Sequence, residues 1–251
     1  MRFSFKGRYR VRLAADGDDV RRAQALRHLT FIDGTGAAER ETCLDMDRFD
    51  AACDHLLIEE SKTGKLVCCF RLLPLESGAE VEQSYSAQFY DLEALRGFPD
   101  RMVEMGRFCV HPDHRTGEVL RIAWSAMTRY VDTREIKLLI GCSSFKGVDV
   151  ETYRDAFALL KDNHLAPARW LPRPKAANIF EFARKFRLRR PDPMRAMRLM
   201  PPLLRGYLSM GGWVSDHAVI DHDMNTLHVF TGLEISRVPE RMSKALRRVQ
   251  A

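Results

Sequence analysis

The part of the sequence best suited to chemistry is a ten-residue run that ends in a proline turn. It reads Val103-Glu104-Met105-Gly106-Arg107-Phe108-Cys109-Val110-His111-Pro112. The carboxylate of Glu104 can accept a proton, and the guanidinium of Arg107 can bind a carboxylate through two parallel hydrogen bonds. On a regular strand, residues three positions apart point to opposite faces. Taken alone, the run therefore predicts only one buried and one exposed charge.

Further charged residues lie upstream of this run. Arg71 lies in the apolar stretch before Pro74 and is a second candidate for binding a carboxylate. Asp45, Asp47 and Asp50 lie in a segment without a regular apolar period, and we expect them to bind ammonium groups. Two alternatives remain open: a solvated acidic loop, or an Arg–Asp pair that holds this loop in place.

Hydrophobic periodicity distributes these residues over alternating strands and helices. The predicted strands are 8–13, 55–60, 66–73, 102–110, 136–142, 213–220 and 226–235. The predicted helices are 17–29, 118–131, 150–163, 175–189 and 240–249, and 31–50 is predicted to be a long loop of the kind that serves as a lid or binding element. This order predicts an α/β fold with a central mixed β-sheet flanked by helices. Residues 1–251 are predicted to form a single domain.

Positive charge is concentrated between residues 165 and 208, a segment that seven prolines punctuate. The chain carries 40 Lys and Arg against 34 Asp and Glu, a net charge of +6. The segment alone holds eleven basic and two acidic residues, which is +9, so the remainder carries −3. We therefore expect this segment to face an anionic partner: lipid headgroups, an acidic protein or nucleic acid. The sequence has no recognised nucleic-acid-binding motif, so nucleic acid is the least favoured of the three.

Composition excludes several classes of protein. With 45% hydrophobic and 29% charged residues, the chain can bury a core and is not intrinsically disordered. No uncharged stretch exceeds ten residues, whereas a membrane-spanning helix needs about 20 apolar ones. No apolar segment follows the charged N-terminus, so we expect no signal peptide and a cytoplasmic protein. The six cysteines form no C-x-x-C pair, which argues against structural zinc and favours reduced thiols.

Seven motifs occur in a fixed order along the chain. They are the run from Val103 to Pro112, and Asp45-Met46-Asp47-Arg48-Phe49-Asp50, Cys53-Asp54-His55-Leu56-Leu57, Phe70-Arg71-Leu72-Leu73-Pro74, Gly141-Cys142-Ser143-Ser144-Phe145, Pro201-Pro202-Leu203-Leu204-Arg205-Gly206-Tyr207 and Asp221-His222-Asp223-Met224-Asn225-Thr226. With this set, from about Arg8 to Leu233, the sequence resembles the L-ornithine Nα-acyltransferases, which make lyso-ornithine lipid. These are acyltransferases of the GNAT superfamily and are related to the acyl-homoserine-lactone synthases. The resemblance therefore implies a GNAT-like fold with a basic, helical C-terminal elaboration.

The resemblance implies transfer of a 3-hydroxyacyl chain from acyl carrier protein to the α-amino group of L-ornithine. No cofactor or metal would be bound, because phosphopantetheine on the carrier protein presents the acyl group. The pyrophosphate loop of acetyl-CoA enzymes has the pattern Q/R-x-x-G-x-G/A. Here the matching positions are His114, Gly117 and Val119, and the missing second glycine makes a poor pyrophosphate cradle.

The resemblance also implies roles in this reaction for individual residues. Glu104 would take the proton of the α-ammonium, and a backbone N–H of Cys109 or Val110 would hold the thioester carbonyl and its oxyanion. Substrate binding would involve Arg71, Arg107, Asp45, Asp47, Asp50, Arg27, Phe31, Ser143, Asp221 and Asn225. The last two could instead form a turn. Cys109 and Cys142 are read as small buried hydrophobes rather than nucleophiles.

The basic segment is expected to contact the membrane or the carrier protein. Its aromatic and cationic residues interleave as in an amphipathic helix on anionic lipid: Phe182, Arg184, Lys185, Phe186, Arg187, Arg189 and Arg190. A stripe of aromatic residues that faces the core is the alternative.

The expected partners are acyl carrier protein, ornithine and an anionic membrane surface at the inner face of the membrane. Rival functions are the same reaction on glutamine or another amino acid, acyl-homoserine-lactone synthesis, and a non-catalytic membrane-peripheral binding module.

Overall fold

The computed structural model describes residues 2–3, 7–33, 35–38 and 42–248. Its strands are β1 Arg2–Phe3, β2 Tyr9–Leu13, β3 Asp54–Glu60, β4 Leu66–Leu75, β5 Tyr90–Asp91, β6 Met102–Val110, β7 Leu138–Lys146, β8 Arg173–Pro174, β9 Ile179–Phe180, β10 Trp213–Asp221 and β11 Thr226–Glu234. Its α-helices are α1 Gly17–Phe31, α2 Gly117–Arg134, α3 Arg154–Asn163, α4 Phe182–Lys185, α5 Pro193–Leu199, α6 Pro202–Ser209 and α7 Glu240–Arg248. These elements confirm the predicted fold class, α/β with a mixed sheet flanked by helices.

The chain divides into two compact units. The first comprises Met1–Pro74, Val103–Ile136 and Pro239–Ala251, and the second comprises Leu75–Met102 and Lys137–Val238. Within the described residues, no helix is long and apolar enough to cross a membrane.

In the first unit, the strands run in the order β1-β2-β3-β4-β6, and β2 and β4 each pair antiparallel with β3. Helix α1 begins where the side chain of Asp16 accepts the backbone N–H groups of Asp18 and Asp19, which caps the helix. Its apolar face packs on the sheet in a buried cluster that includes Leu26, Leu57, Cys69 and Cys109. This packing holds the second half of α1 against the middle of the sheet.

In the second unit, β11 lies between β7 and β10, and β9 pairs with the other edge of β10. All of these pairings are antiparallel. Strands β5 and β8 form a separate two-stranded sheet. Helix α3 packs through Phe157, whose ring lies 5.0 Å from that of Phe145 on β7 and 5.1 Å from that of Phe182. The aromatic residues therefore tie the basic segment to the core of this unit.

Most predicted elements agree with the structure to within a few residues, and one is wrong. The helix predicted at 175–189 is absent: the structure has only the short strand β9 and the four-residue helix α4 there. Phe180 and Ile179 pair with β10, so backbone hydrogen bonds to a neighbouring strand override the helical spacing of the apolar residues. The basic segment is nevertheless helical in part, through α4, α5 and α6. Gly34 in the predicted loop and Val249 at the predicted end of the last helix lie outside the described residues.

Candidate active site

Six of the predicted substrate-binding residues converge in the first unit as one ion-pair network. Its members are Arg27, Arg71, Arg107, Asp45, Asp47 and Asp50, so three guanidinium groups face three carboxylates. Arg27 is 1%, Asp45 2% and Arg71 3% exposed. Buried charges are stable only when they are paired and hydrogen-bonded, and this network meets that requirement.

Arg27, on the last turns of α1, anchors the buried end of the network. Its two terminal nitrogens donate to the two carboxylate oxygens of Asp50 at 2.7 and 2.8 Å, and its Nε donates to Oδ2 of Asp45 at 3.0 Å. A further hydrogen bond joins Arg27 to the backbone carbonyl of Asp45. Bidentate pairing of this kind fixes both distance and orientation. Arg27 therefore binds both ends of the segment from Asp45 to Asp50.

Arg71, on β4, holds the middle of the same segment. Its guanidinium donates to both carboxylate oxygens of Asp47, at 2.5 and 2.8 Å, and to Oδ1 of Asp50 at 2.8 Å. The ring of Phe49 lies 5.5 Å from the guanidinium carbon. The side chain of Arg71 passes close to Gly106 on β6, where an added Cβ would lie 3.6 Å from Nε of Arg71.

Arg107 closes the network from β6. Its Nε donates to Oδ2 of Asp45 at 2.9 Å, and a terminal nitrogen donates to Oδ2 of Asp47 at 3.3 Å. The backbone φ of Arg107 is +53°, in the left-handed region that a non-glycine residue rarely adopts. This conformation departs from the extended geometry of a regular strand, so the alternation of side chains between the two faces does not hold across Arg107. The structure thus shows the Arg–Asp pairing that holds the acidic segment, and binding of an acceptor carboxylate by Arg71 or Arg107 stays a prediction.

Two aspartates of the network, Asp47 and Asp50, have lowered pKa values. Burial acts to raise the pKa of Asp50, but hydrogen bonds from Arg27, and then from Gln24 and Arg71, bring it below its ordinary value. Burial likewise acts to raise the pKa of Asp47, and Arg71 and Arg107 lower it. These two carboxylates are therefore ionised at neutral pH.

Glu104 is 4% exposed and lies on β6, three residues before Arg107. Its carboxylate and the guanidinium of Arg71 both act on the thiol of Cys53. Burial raises the pKa of Cys53 to about 12, Arg71 opposes this rise, and the charge of Glu104 adds to it. Glu104 therefore lies within electrostatic range of the same residue as Arg71. A carboxylate in this position can accept a proton from a cationic substrate group.

The end of β6 has the predicted arrangement of strand, proline turn and helix. After Val110, the backbone N–H of His111 donates to the carbonyl of Val67 at 2.8 Å, and a single helical turn at Pro112–His114 follows. Helix α2 then begins, capped by Thr116. The first amides of such a helix can bind an anionic or carbonyl group. Binding of the thioester by the backbone of Cys109 or Val110 stays a prediction.

The side chain of Cys109 belongs to the core. Its Sγ lies 3.4 Å from Sγ of Cys69, in the apolar cluster between α1 and the sheet. Phe31 packs against this cluster. The burial of Cys109 in this cluster favours its reading as a small buried hydrophobe, since a reactive cysteine is normally accessible to solvent.

Three predicted substrate-binding residues lie in the second unit. Ser143 is buried on β7, and its hydroxyl accepts a hydrogen bond from Oγ1 of Thr231 at 3.0 Å. Asp221 and Asn225 lie where β10 turns into β11. Oδ1 of Asp221 accepts the backbone N–H of Met224 at 3.0 Å, and Asn225 has a φ of +48°. These contacts are those of turn-forming residues, which was the alternative interpretation of this pair.

The placement of Phe182 corrects one predicted surface contact. This residue is completely buried and stacks on Phe157, because α4 turns its apolar side toward α3. Phe186 is half-buried against the ring of Phe180, at 5.5 Å. The guanidinium of Arg189 already has an ion-pair partner within the protein, since it donates to Oδ1 of Asp155 at 2.9 Å. Of the cations predicted to contact the membrane or the carrier protein, Arg184, Lys185, Arg187 and Arg190 are exposed.

The sequence analysis missed Gln24. This residue is 6% exposed. Its side-chain Nε2 donates to Oδ2 of Asp50 at 2.9 Å, and its backbone carbonyl accepts the backbone N–H of Asp45 at 3.1 Å. The spacing in the sequence could have indicated this role, because Gln24 precedes Arg27 by three positions and therefore lies on the same helix face. Gln24 therefore helps α1 to position the acidic segment.

The fold and this site define the chain as an acyltransferase of the GNAT class. Residues 26–125 match the family model described as an acetyltransferase (GNAT) domain. Two solved structures share the fold. One is the CoA-dependent acyl-homoserine lactone synthase MesI (12% identity, TM-score 0.52, covering 96% of this chain and 95% of that one). The other is the CoA-dependent synthase BjaI, with SAM and isopentyl-CoA (15% identity, TM-score 0.51, 93% and 83%).

Two sequence relatives are closer. The L-ornithine N(alpha)-acyltransferase of Rhodobacter capsulatus is 35% identical over 242 residues, which cover 93% of this chain and 92% of that protein. The protein of the same name from Agrobacterium fabrum is 30% identical over 249 residues, covering 94% and 84%. The chain therefore belongs to the L-ornithine N(alpha)-acyltransferase family, which confirms the resemblance noted in its sequence.

Proposed function

We propose that the protein transfers a 3-hydroxyacyl chain from acyl carrier protein to the α-amino group of L-ornithine, and that it works at the inner face of the membrane. The observation that carries this proposal is the buried Arg–Asp network on β4, β6 and α1, with the carboxylate of Glu104 nearby. The names of the two sequence relatives support ornithine as the acceptor.

The network offers partners for both kinds of charge on the acceptor. Its three arginines can bind a carboxylate, and its three aspartates can bind ammonium groups. Ornithine carries two ammonium groups and one carboxylate. Solvent reaches the network through Asp47 and Arg107, whose side chains are 20% and 13% exposed. These two are the groups that an incoming ammonium and carboxylate would meet first.

The reaction requires one proton acceptor and one oxyanion site. Glu104 takes a proton from the α-ammonium, and the free amine attacks the thioester carbonyl. A backbone N–H of Cys109 or Val110 stabilises the negative charge that develops on the oxygen. The tetrahedral intermediate then expels the pantetheine thiolate, which takes up the second proton that the attacking nitrogen loses, and the amide remains. No covalent enzyme intermediate is needed, because a thioester is already activated.

The start of α2 favours a carrier-protein donor over coenzyme A. Gly117 opens the helix, the exposed carboxylate of Glu118 follows, and Val119 occupies the position of the second glycine. A carboxylate at this point repels a pyrophosphate, although it suits the helix dipole. A donor that presents only phosphopantetheine loses little at such a site.

The direct test is to incubate the purified protein with 3-hydroxyacyl carrier protein and each common amino acid, and to weigh the products. We expect acyl-ornithine to dominate and the coenzyme A thioester to be a poor donor. Glu104→Gln should lower the rate by about 10²-fold or more, as for other general bases, while the exposed control Glu151→Gln should not. Acyl-glutamine or a lactone as the main product would refute the ornithine assignment. A wild type without any activity would favour a binding module.

A further inference from the structure

The basic segment exposes large apolar side chains. Among the described residues, five large hydrophobic side chains are exposed, and three of them lie close together in this segment. Leu188 is 87%, Met194 85% and Met197 44% exposed. Single exposed hydrophobes are ordinary, but a group of them on one segment indicates a surface that is covered in use.

Helix α5 separates its buried and exposed residues onto two faces. Ala196 and Met200, four positions apart, are buried. Met194, Met197 and Arg198 follow the i, i+3, i+4 spacing of one helix face and are all exposed. The exposure of both methionines is therefore a property of the folded helix, since its other face already supplies the packing.

Cationic side chains alternate with these apolar ones along the chain. Lys185, Arg187, Arg190 and Arg198 are exposed. Within the described part of the chain, no carboxylate lies within ion-pair distance of these four side chains, whereas Arg184 pairs with Glu181 at 2.7 Å. The four unneutralised charges give the surface a positive potential.

Helix α3 holds the segment in place. Asp155, 3% exposed, pairs with Arg189 at 2.9 Å and with Arg195 at 3.5 Å. Lys161 donates to the carbonyls of Phe186 and Arg189 at 2.9 and 3.2 Å. The backbone between α4 and α5 is thus anchored at several points. A surface that is already ordered loses less conformational entropy when it binds.

We propose that these seven side chains, the three apolar and the four cationic ones, form a membrane-docking surface for anionic lipid. The apolar side chains enter the headgroup boundary, and the cations pair with lipid phosphates. Flexible, unbranched methionine side chains suit a fluid hydrocarbon surface that offers no fixed pockets. This inference rests on the proposed function for its purpose, because an acylated amino acid is an amphiphile that has to enter a bilayer.

Vesicle flotation tests the docking surface with three double variants, each checked for unchanged folding by circular dichroism. With anionic phosphatidylglycerol vesicles at low salt, Arg187→Gln with Arg190→Gln should weaken binding about 25-fold, at about fivefold for each cation. Leu188→Ser with Met194→Ser should weaken it about tenfold or more, and this loss should persist at high salt. The charge-matched control, Lys62→Gln with Arg96→Gln on two exposed turns, should bind like the wild type.

Two results would overturn the docking surface. One is wild-type vesicle binding by both surface variants. The other is normal vesicle binding by the cation variant combined with a raised KM for acyl carrier protein, which would assign the surface to the carrier. Vesicle binding is measured without substrates, so it is independent of catalysis. A wild type that binds vesicles but acylates no amino acid would refute the proposed function and leave the docking surface intact.

Discussion

Replacement of Arg27 by methionine tests whether the buried network stabilises the fold. Methionine has a similar length and apolar character but cannot donate a hydrogen bond. The substitution removes the two bonds to Asp50, whose side chain is 9% exposed, and the bond from Nε to the buried carboxylate of Asp45. Breaking a buried ion pair by removing one partner costs about 3–5 kcal/mol. Asp50 keeps Gln24 and Arg71 as partners, so we expect about 3 kcal/mol.

The loss should depend on pH in a defined direction. In the wild type, pairing lowers the pKa of Asp50, so its stabilisation is present above the ordinary carboxyl pKa and is lost as pH falls through the lowered value. In the variant, burial without Arg27 raises the pKa of Asp50, which then protonates at a higher pH and relieves the penalty. The difference in unfolding free energy should therefore be full at pH 7 and smaller near pH 4.

Urea denaturation, followed by circular dichroism at both pH values, measures this difference. Arg21→Met is the matched control, because Arg21 lies on the same helix and pairs with Asp18 on the exposed surface. We expect it to cost about 0.5 kcal/mol or less. Adding Asp50→Asn to the Arg27 variant should restore part of the stability, since it removes one of the two carboxylates that lose Arg27 as a partner. A loss below about 1 kcal/mol at pH 7, or the same loss at both pH values, would refute this reasoning.

Three further substitutions test other parts of the structure. Gly232→Ala would place a Cβ 2.3 Å from two ring atoms of Trp213, so we expect a loss of about 1–3 kcal/mol in urea unfolding; an unchanged midpoint would contradict the close approach. Tyr130→Phe removes a 2.8 Å hydrogen bond to the carboxylate of Asp54 and should cost about 1.5 kcal/mol, again by urea unfolding. Burial lowers the pKa of His228 to about 4, so the fold should lose about 2 kcal/mol between pH 7 and pH 5 as the unfolded state takes up a proton. His228→Asn should make that pH dependence less steep, although not flat, because burial also lowers the pKa values of His55, His111 and His164. A pH dependence as steep as that of the wild type would show that His228 does not contribute.

Local spacing was sufficient to predict the elements that carry the site. The bounds of β6 agree with the prediction to the residue, and α1 extends only two residues further than predicted. The helix at 175–189 failed because the pairing of Phe180 with β10 and the burial of Phe182 arise from distant parts of the chain. The prediction that Glu104 and Arg107 point to opposite faces assumed a regular strand. The left-handed φ of Arg107 shows that the strand is not regular there.

The amino-acid sequence was sufficient to identify the motifs, their order and the charge of the basic segment, because each depends on residues that are neighbours along the chain. It was not sufficient to identify the ion-pair partner of each charged side chain. Arg71 and Arg107 lie 24 and 60 residues from Asp47, yet both bind it, and Arg189 pairs with Asp155 rather than facing a partner surface. Side chains so far apart in sequence meet only after sheet pairing and core packing have placed their backbones. Periodicity along one element carries no information on those distances, so the tertiary structure alone decided which charges are neutralised and which stay exposed.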